Sequence, residues 1–377
     1  MTRLIVGAAQ IECRPGNIAA NLVLHLEAVR EARAGGIDLL VFPELSLTDY
    51  LSEPDLPRLA RSQHAPELQA LADAAGSMLV SVGFIEDGGG GRFHNSQALV
   101  SRGRVLHVHR KLNLPTYGRL TEGRYYAKGE RIGLARHGAW SLATLICAET
   151  WNPALPWLAA LRGASLLLVP VASSLHVVDD LDNRAGWTVN LSHTALTYGL
   201  PLVMANHCGA RGGLKFWGGS RILDAFGREC ARAGDGPQVI SAEIALDDVR
   251  RARDRLPTMR DADEVEHAAL RLRDHGPRQV VEAEIVNEGE RRHGATSGSA
   301  RKRSSSARTR RGSASRIVGR RSRARRTSSS AISAKITCGP SPARARSRPK
   351  ASRMREPPQN LRPPRAPQWF AITSGSP

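Results

Sequence analysis

The chain has 377 residues and a formal net charge of +19, long enough for one large α/β domain or two ordinary ones. The charge is unevenly placed: residues 291–377 hold 23 of the 54 lysines and arginines and one acid, Glu356, leaving 31 basic against 34 acidic residues in 1–290. That balance excludes a polyanion partner as the default for the first part, and no window approaches the roughly 18 unbroken apolar residues of a membrane span.

The apolar run of "MTRLIVGAAQIE" is too short for a signal-peptide core. Cys13, Cys147, Cys208, Cys230 and Cys338 are odd in number, scattered and without C-x-x-C spacing, which argues against a disulfide framework and a structural zinc site. These features predict a soluble cytoplasmic protein.

In chain order, "RLIVGAAQI" (3–11) reads as a strand and 17–36 as a helix with Asn17 as N-cap and Gly35 or Gly36 to end it. "IDLLVFPE" (37–44) is a continuous apolar run, the mark of a strand covered on both faces. A helix at 66–75 leads to "MLVSVGFIE" (78–86), and "FHNSQALV" and "RVLHVHRK" form a hairpin through "SRG". "SLATLICAE", "ASLLLVPVA", "PLVMANH" and "QVISAEI" supply further strands, with helices near 154–162 and 184–198. Hairpins mixed with helix crossovers imply an α/β fold, a mixed sheet with helices outside. A domain over 1–275, a linker at 276–290 and an Arg/Ser/Pro-rich tail at 291–377 follow from the composition, the tail holding too little apolar material to offset chain entropy. Such an arm attracts phosphates non-specifically, or is simply solvated.

Three strand ends finish in a reactive side chain: "LLVFPEL" in Glu44, "VLHVHRKLNLP" in Lys111 and "LATLICAE" in Cys147. Ligands gather at strand ends in α/β sheets. A thiol attacks a carbonyl or nitrile carbon as its thiolate and needs a base in reach, a role open to Glu44. Lys111 and the main-chain N–H of Ala148 are placed to stabilise the oxyanion that forms, each such contact contributing on the order of 3 kcal/mol. Taken singly, Glu44 reads equally as a turn cap, Lys111 as a solvated lysine and Cys147 as a packing thiol.

The motifs, in this order, resemble the carbon–nitrogen hydrolase (nitrilase) superfamily, through "GAAQIECRPGNIAAN", "VFPELSLTDY", "HRKLNLPTYGRLTEGRYYAKGE", "LICAETWNPALP", "KFWGGSRILDAFGRE" and "VRRARDRLPTMRD". The resemblance implies an α-β-β-α sandwich that dimerises face to face into four layers, a Glu44–Lys111–Cys147 triad, and no metal or organic cofactor. It also implies a place beside the triad for Glu122 in "RLTEGRYY", where two carboxylates sharing a buried site push one pKa up. Tyr117 and Trp151 are candidates to line a substrate pocket, with packing the rival role for each. Gly218 and Gly219 of "FWGGS" read as architecture.

Two departures stand out. In "LLLVPVASS", Val169 and Val171 stand where many members of the superfamily have polar residues, which predicts a more apolar pocket. In "LTDY", Asp49 stands where a glycine is common. The "LPTYG…EGRYY" and "CAETWNP" stretches look closest to amidase-type branches, including the glutaminase domain that feeds ammonia to NAD synthetases, and this resemblance implies cleavage of a small-molecule amide through a cysteine thioester. A nitrilase or N-carbamoyl amidohydrolase uses the same residues, and a nucleic-acid-binding protein acting through the basic tail is the non-enzyme alternative. No ATP-pyrophosphatase-like stretch follows residue 280, so synthetase activity is not expected.

Overall fold

The computed structural model describes residues 2–175, 177 and 182–260. The tail at 291–377, with its proposed phosphate contacts, the linker at 276–290, Cys338 and the last residues of the 1–275 span lie outside the described residues.

The chain opens with β1 (Arg3–Gln10), α1 (Ile18–Ala34), β2 (Leu39–Val41), a short α2 (Leu56–Leu59), α3 (Pro66–Ala75), β3 (Leu79–Asp87), β4 (Phe93–Ser101) and β5 (Arg104–Arg110). It continues through β6 (Leu134–His137), β7 (Trp140–Thr144), α4 (Ala154–Leu161), β8 (Leu166–Val171), α5 (Asn183–Tyr198) and β9 (Leu202–Asn206). The hairpin β10 (Cys208–Arg211) and β11 (Leu214–Trp217) follows, then β12 (Arg221–Leu223), β13 (Glu229–Arg232), β14 (Gln238–Ala245) and α6 (Leu246–Arg255).

Twelve of the described strands form two six-stranded sheets, and β10 and β11 pair with each other as a separate two-stranded sheet. The first has the order β14-β1-β2-β3-β4-β5 and the second β13-β12-β9-β8-β7-β6. The centre of each is parallel, β1-β2-β3 and β7-β8-β9, and the edges are antiparallel. Strand alternation sorts each centre into two layers. Leu4, Val6 and Ala8 of β1 meet Leu166 and Leu168 of β8 and Val203 of β9 between the sheets. On the outer faces, Phe42, Val80 and Val82 pack under Val29 of α1 and Leu71 of α3, while Leu167 and Val169 pack under Ala159 of α4 and Leu191 of α5. The result is the α-β-β-α sandwich. Periodicity pointed to a mixed sheet without resolving that there are two, because a strand covered by helices and one covered by a second sheet carry the same continuous apolar run.

α1 has the expected bounds. Asn17 caps it by accepting from the Ala20 N–H at 3.1 Å, and Gly35 follows its last turn. Two elements are shorter than the sequence suggests. β2 ends at Val41 rather than Glu44, and β7 ends at Thr144, after which Cys147–Trp151 coil into a 3₁₀ turn. In both places the chain leaves the sheet just before a reactive residue, through left-handed backbone at Leu45 (φ 51°) and Cys147 (φ 50°). For residues other than glycine this conformation costs roughly 1–2 kcal/mol each.

Candidate active site

Glu44 follows β2, Lys111 follows β5, and both are fully buried. The ammonium of Lys111 donates to Glu44 Oε1 at 2.5 Å and to both oxygens of Glu122 at 2.9 Å. Glu122 opens a short 3₁₀ turn, Glu122–Arg124, and receives the Tyr50 hydroxyl at 3.0 Å. Asn95, on β4, donates its amide to Glu44 Oε1 at 2.7 Å and reaches Glu122 Oε2 at 3.4 Å. The main-chain N–H of Ala172, just past β8 in the second sheet, donates to Glu44 Oε2 at 3.0 Å. Glu44 thus has both oxygens fixed, one of them by the main chain that follows a strand of the opposite sheet.

The glycine at 83 is part of the same construction. A Cβ there would lie 2.3 Å from Leu45 N and 2.6 Å from Pro43 O, so β3 runs directly against the backbone that carries Glu44. Only a residue without a side chain allows that approach.

Cys147, Ala148, Tyr117, Trp151, Glu44 and Glu122 all line one cavity of about 240 Å³. The remaining wall is largely apolar and aromatic, including Tyr50, Pro115, Leu120 and Trp187. Trp151 is partly exposed and meets Trp187 edge to face, with ring centroids 5.3 Å apart. Tyr117 is half exposed at the rim. Val169 and Val171 do not contribute: both pack in the layer between the second sheet and its helices, and Ala172 and Ser173 face the cavity instead. The expectation that these two valines make the pocket apolar is therefore corrected. Its apolar character comes from aromatic residues on other elements.

The electrostatics follow from burial. Burial works against the charge on Lys111, but Glu122 and Glu44 outweigh it and hold its pKa well above the usual lysine value. Burial raises Glu122, and with the charge of Glu44 it prevails over Lys111, taking the carboxyl up to about 7. Burial, then the carboxylates Glu44 and Glu122, push the Cys147 thiol well above its ordinary range, Lys111 opposing them. The resting thiol is therefore protonated, and chemistry at sulfur requires that proton to be taken up.

A fifth group, Glu149, was not singled out in the sequence. It is fully buried two residues beyond Cys147. Its Oε2 accepts from the Ile146 N–H at 2.5 Å and from His109 Nε2 at 2.9 Å, and its Oε1 accepts from the Leu112 N–H at 2.8 Å. One carboxylate therefore ties the residue before the thiol to the residue after the ammonium. Of the other described cysteines, Cys13 and Cys208 are buried and Cys230 is exposed; none of them lines this cavity. Among the described residues, no helix is long and apolar enough to cross a membrane.

The carbon-nitrogen hydrolase family model matches residues 5–254. The glutamine-dependent NAD(+) synthetase of Thermotoga maritima is 33% identical over 255 residues, which cover 66% of this chain and 43% of that protein. The (R)-stereoselective amidase of a Pseudomonas species is 31% identical over 247 residues, covering 65% of this chain and 86% of that protein. Among solved structures, an amidase of Nesterenkonia sp. AN1 carrying an acrylamide adduct on its active-site cysteine matches with a TM-score of 0.59 at 26% identity, over 67% of this chain and 98% of that one. A carbon-nitrogen hydrolase of Helicobacter pylori has the same fold, with a TM-score of 0.63 at 23% identity over 69% and 94% of the two chains. The chain thus spans less than half the length of the NAD(+) synthetase it matches and most of the length of the amidases.

Proposed function

Because the chain belongs to the carbon-nitrogen hydrolase family, an enzyme family acting on C–N bonds, we propose that it hydrolyses the amide bond of a small molecule through a thioester on Cys147. The observation that carries this reading is the union, at one end of an aromatic cavity, of a buried Glu44–Lys111–Glu122 cluster with a thiol on a strained turn. The cysteine adduct of the Nesterenkonia amidase supports it by likeness.

In the proposed reaction Glu44 takes the proton of the Cys147 thiol as the sulfur adds to the amide carbon. The carbonyl oxygen becomes an oxyanion facing the Lys111 ammonium and the Ala148 main-chain N–H. The C–N bond then breaks, and Glu44 returns the proton to the departing nitrogen. Water adds to the thioester with Glu44 accepting its proton, the C–S bond breaks, and the carboxylic acid leaves with the thiol restored. Lys111 holds its charge throughout because two carboxylates face it. Glu122, poised near neutrality, keeps the lysine in place and balances its charge.

Tyr117 and Trp151 at the mouth, with Trp187 behind, form the binding wall for the acyl group. The face-to-face homodimer suggested by the motifs remains part of the proposal.

Intact-mass analysis tests the reading directly. Incubation with a panel of amides, carbamoyl compounds and nitriles should leave an acyl adduct on the Cys147 peptide, with ammonia or amine released from the best amide. Cys147→Ala should form no adduct and release none. Full turnover by Cys147→Ala would refute the nucleophile assignment. Turnover of nitriles alone, giving the carboxylate, would assign a nitrilase, and turnover of N-carbamoyl compounds alone an N-carbamoyl amidohydrolase.

A further inference from the structure

A cluster of buried polar side chains meets the main chain of Glu44, lines none of the cavity and takes no part in the reaction above. Asp49 is buried, with left-handed backbone at φ 66°. Its carboxylate is clasped by Arg211, which donates through Nε to Oδ2 and through Nη2 to Oδ1, the latter at 2.5 Å. Arg211 sits at the end of β10, in a hairpin whose two-residue turn, Gly212 and Gly213, takes positive φ at both positions, the geometry that matches strand twist. Its Nη1 donates to Cys208 O at 2.6 Å, and its plane lies 4.4 Å over the Phe216 ring.

Arg211 also reaches His207, fully buried, with Nη2 3.0 Å from Nδ1. A guanidinium only donates, so Nδ1 is the accepting nitrogen and the ring proton is on Nε2. That Nε2–H donates to the main-chain carbonyl of Glu44 at 2.7 Å. The direction of each bond is thus fixed: Arg211 donates to Asp49 on one side and to His207 on the other, and His207 donates onward to the Glu44 carbonyl.

Cys13, Asp49 and His207 offer donor atoms all within 4.8 Å of one another, a set suited to a metal ion. The guanidinium already bonds two of the three. A fixed organic cation therefore stands where those donors would otherwise take a metal.

We propose that Asp49, Arg211 and His207 are positioning residues for Glu44: the relay locks the peptide of the base, and with it the aim of its carboxylate, to the β10–β11 hairpin. The proposal rests on Glu44 acting as the general base. Its energetic logic is visible at Asp49, where glycine would adopt φ 66° without strain, while aspartate accepts the strain and gains a charge-assisted bidentate pair.

The test compares kcat, KM and thermal melting on the best amide substrate for the wild type and His207→Ala, His207→Gln and Asp49→Gly, with Glu44→Gln and Cys147→Ala as controls. His207→Ala should lower kcat by about 10- to 100-fold, the scale of a small misplacement of a catalytic group, with KM little changed. His207→Gln should recover most of that loss, because a glutamine amide can accept from Arg211 and donate to the Glu44 carbonyl. Asp49→Gly should also lose kcat despite relieving strain. If His207→Ala does not fold, Asp49→Asn, which keeps the shape and removes the charge, should show the same fall in kcat at unchanged KM.

A folded His207→Ala or Asp49→Asn with wild-type kcat, or a His207→Gln as impaired as His207→Ala, would overturn the relay alone, provided Cys147→Ala is inactive and Glu44→Gln loses at least about 100-fold in kcat. Wild-type turnover by either control would instead refute the hydrolase reading, and the relay with it.

Discussion

The first sheet delivers Glu44 and Lys111 as fully buried charges, every polar atom of the pair held by a named partner, whereas the second delivers Cys147 on a left-handed turn beneath a partly exposed tryptophan. Both sides leave their sheets through left-handed backbone, at Leu45 and Cys147. On the first, hydrogen bonds surround the charged pair itself; on the second, the Glu149 carboxylate holds the main chain before the thiol and aromatic rings shape the space in front of it. The difference teaches that the site concentrates its rigidity where charge must be managed and leaves its adaptable surface where the substrate must vary. Substitutions on the first side should therefore damage rate and stability together, and those on the second should change substrate preference.

The largest effects are expected in the charged cluster. Glu44→Gln should lower kcat by about 10²–10⁴-fold, the range for a lost general base, measured by ammonia release under saturating substrate. Lys111→Met leaves two carboxylates facing each other without a cation and should cost about 3–5 kcal/mol in urea unfolding, as for other broken buried ion pairs. Next comes Gly83→Ala, whose methyl collides with the backbone at Leu45. It should destabilise by about 1–3 kcal/mol and reduce kcat, although residue 83 touches no substrate. On the aromatic side, Trp151→Ala should raise KM for bulky amides by roughly five- to tenfold with kcat nearly kept, consistent with one lost aromatic contact.

The smallest effect concerns pH. The Glu122 carboxyl is raised from 4.5 to about 7, so the folded chain binds this proton more tightly than the unfolded one. Its contribution to stability is full below the unfolded value and is lost as pH rises through about 7. Melting temperatures across pH 4–8 should show the wild type's advantage over Glu122→Gln shrinking as pH rises through this window.

Much of the layout was legible in the sequence because strands and helices advertise their buried faces. Helix α3 appears where an apolar face recurs at helical spacing, and the ends of β2, β5 and β7 mark out Glu44, Lys111 and Cys147 as candidates. The short strands β6, β10, β11, β12 and β13 were missed. They have three or four residues each, too short for alternation to register. Asn95 had a signal that went unread: Asn95 and Gln97 are polar at a spacing of two within a strand buried throughout its centre, and buried amides of this kind demand partners. Trp187, Glu149 and His207 were illegible for a different reason, since their roles depend on contacts with residues far along the chain. Val169 and Val171 show the converse error, in which closeness in sequence to a pocket strand was mistaken for facing the pocket.

Glu149 fixes the span between sulfur and ammonium with a single carboxylate gripping two stretches of main chain. This brace is fully buried and lines none of the cavity, whereas Tyr117 and Trp151 line it and are partly exposed. Substrate scope and bond-breaking power are thereby mechanically separable: the mouth can be recarved by mutation, in nature or by design, without altering the gauge on which the reacting groups are set.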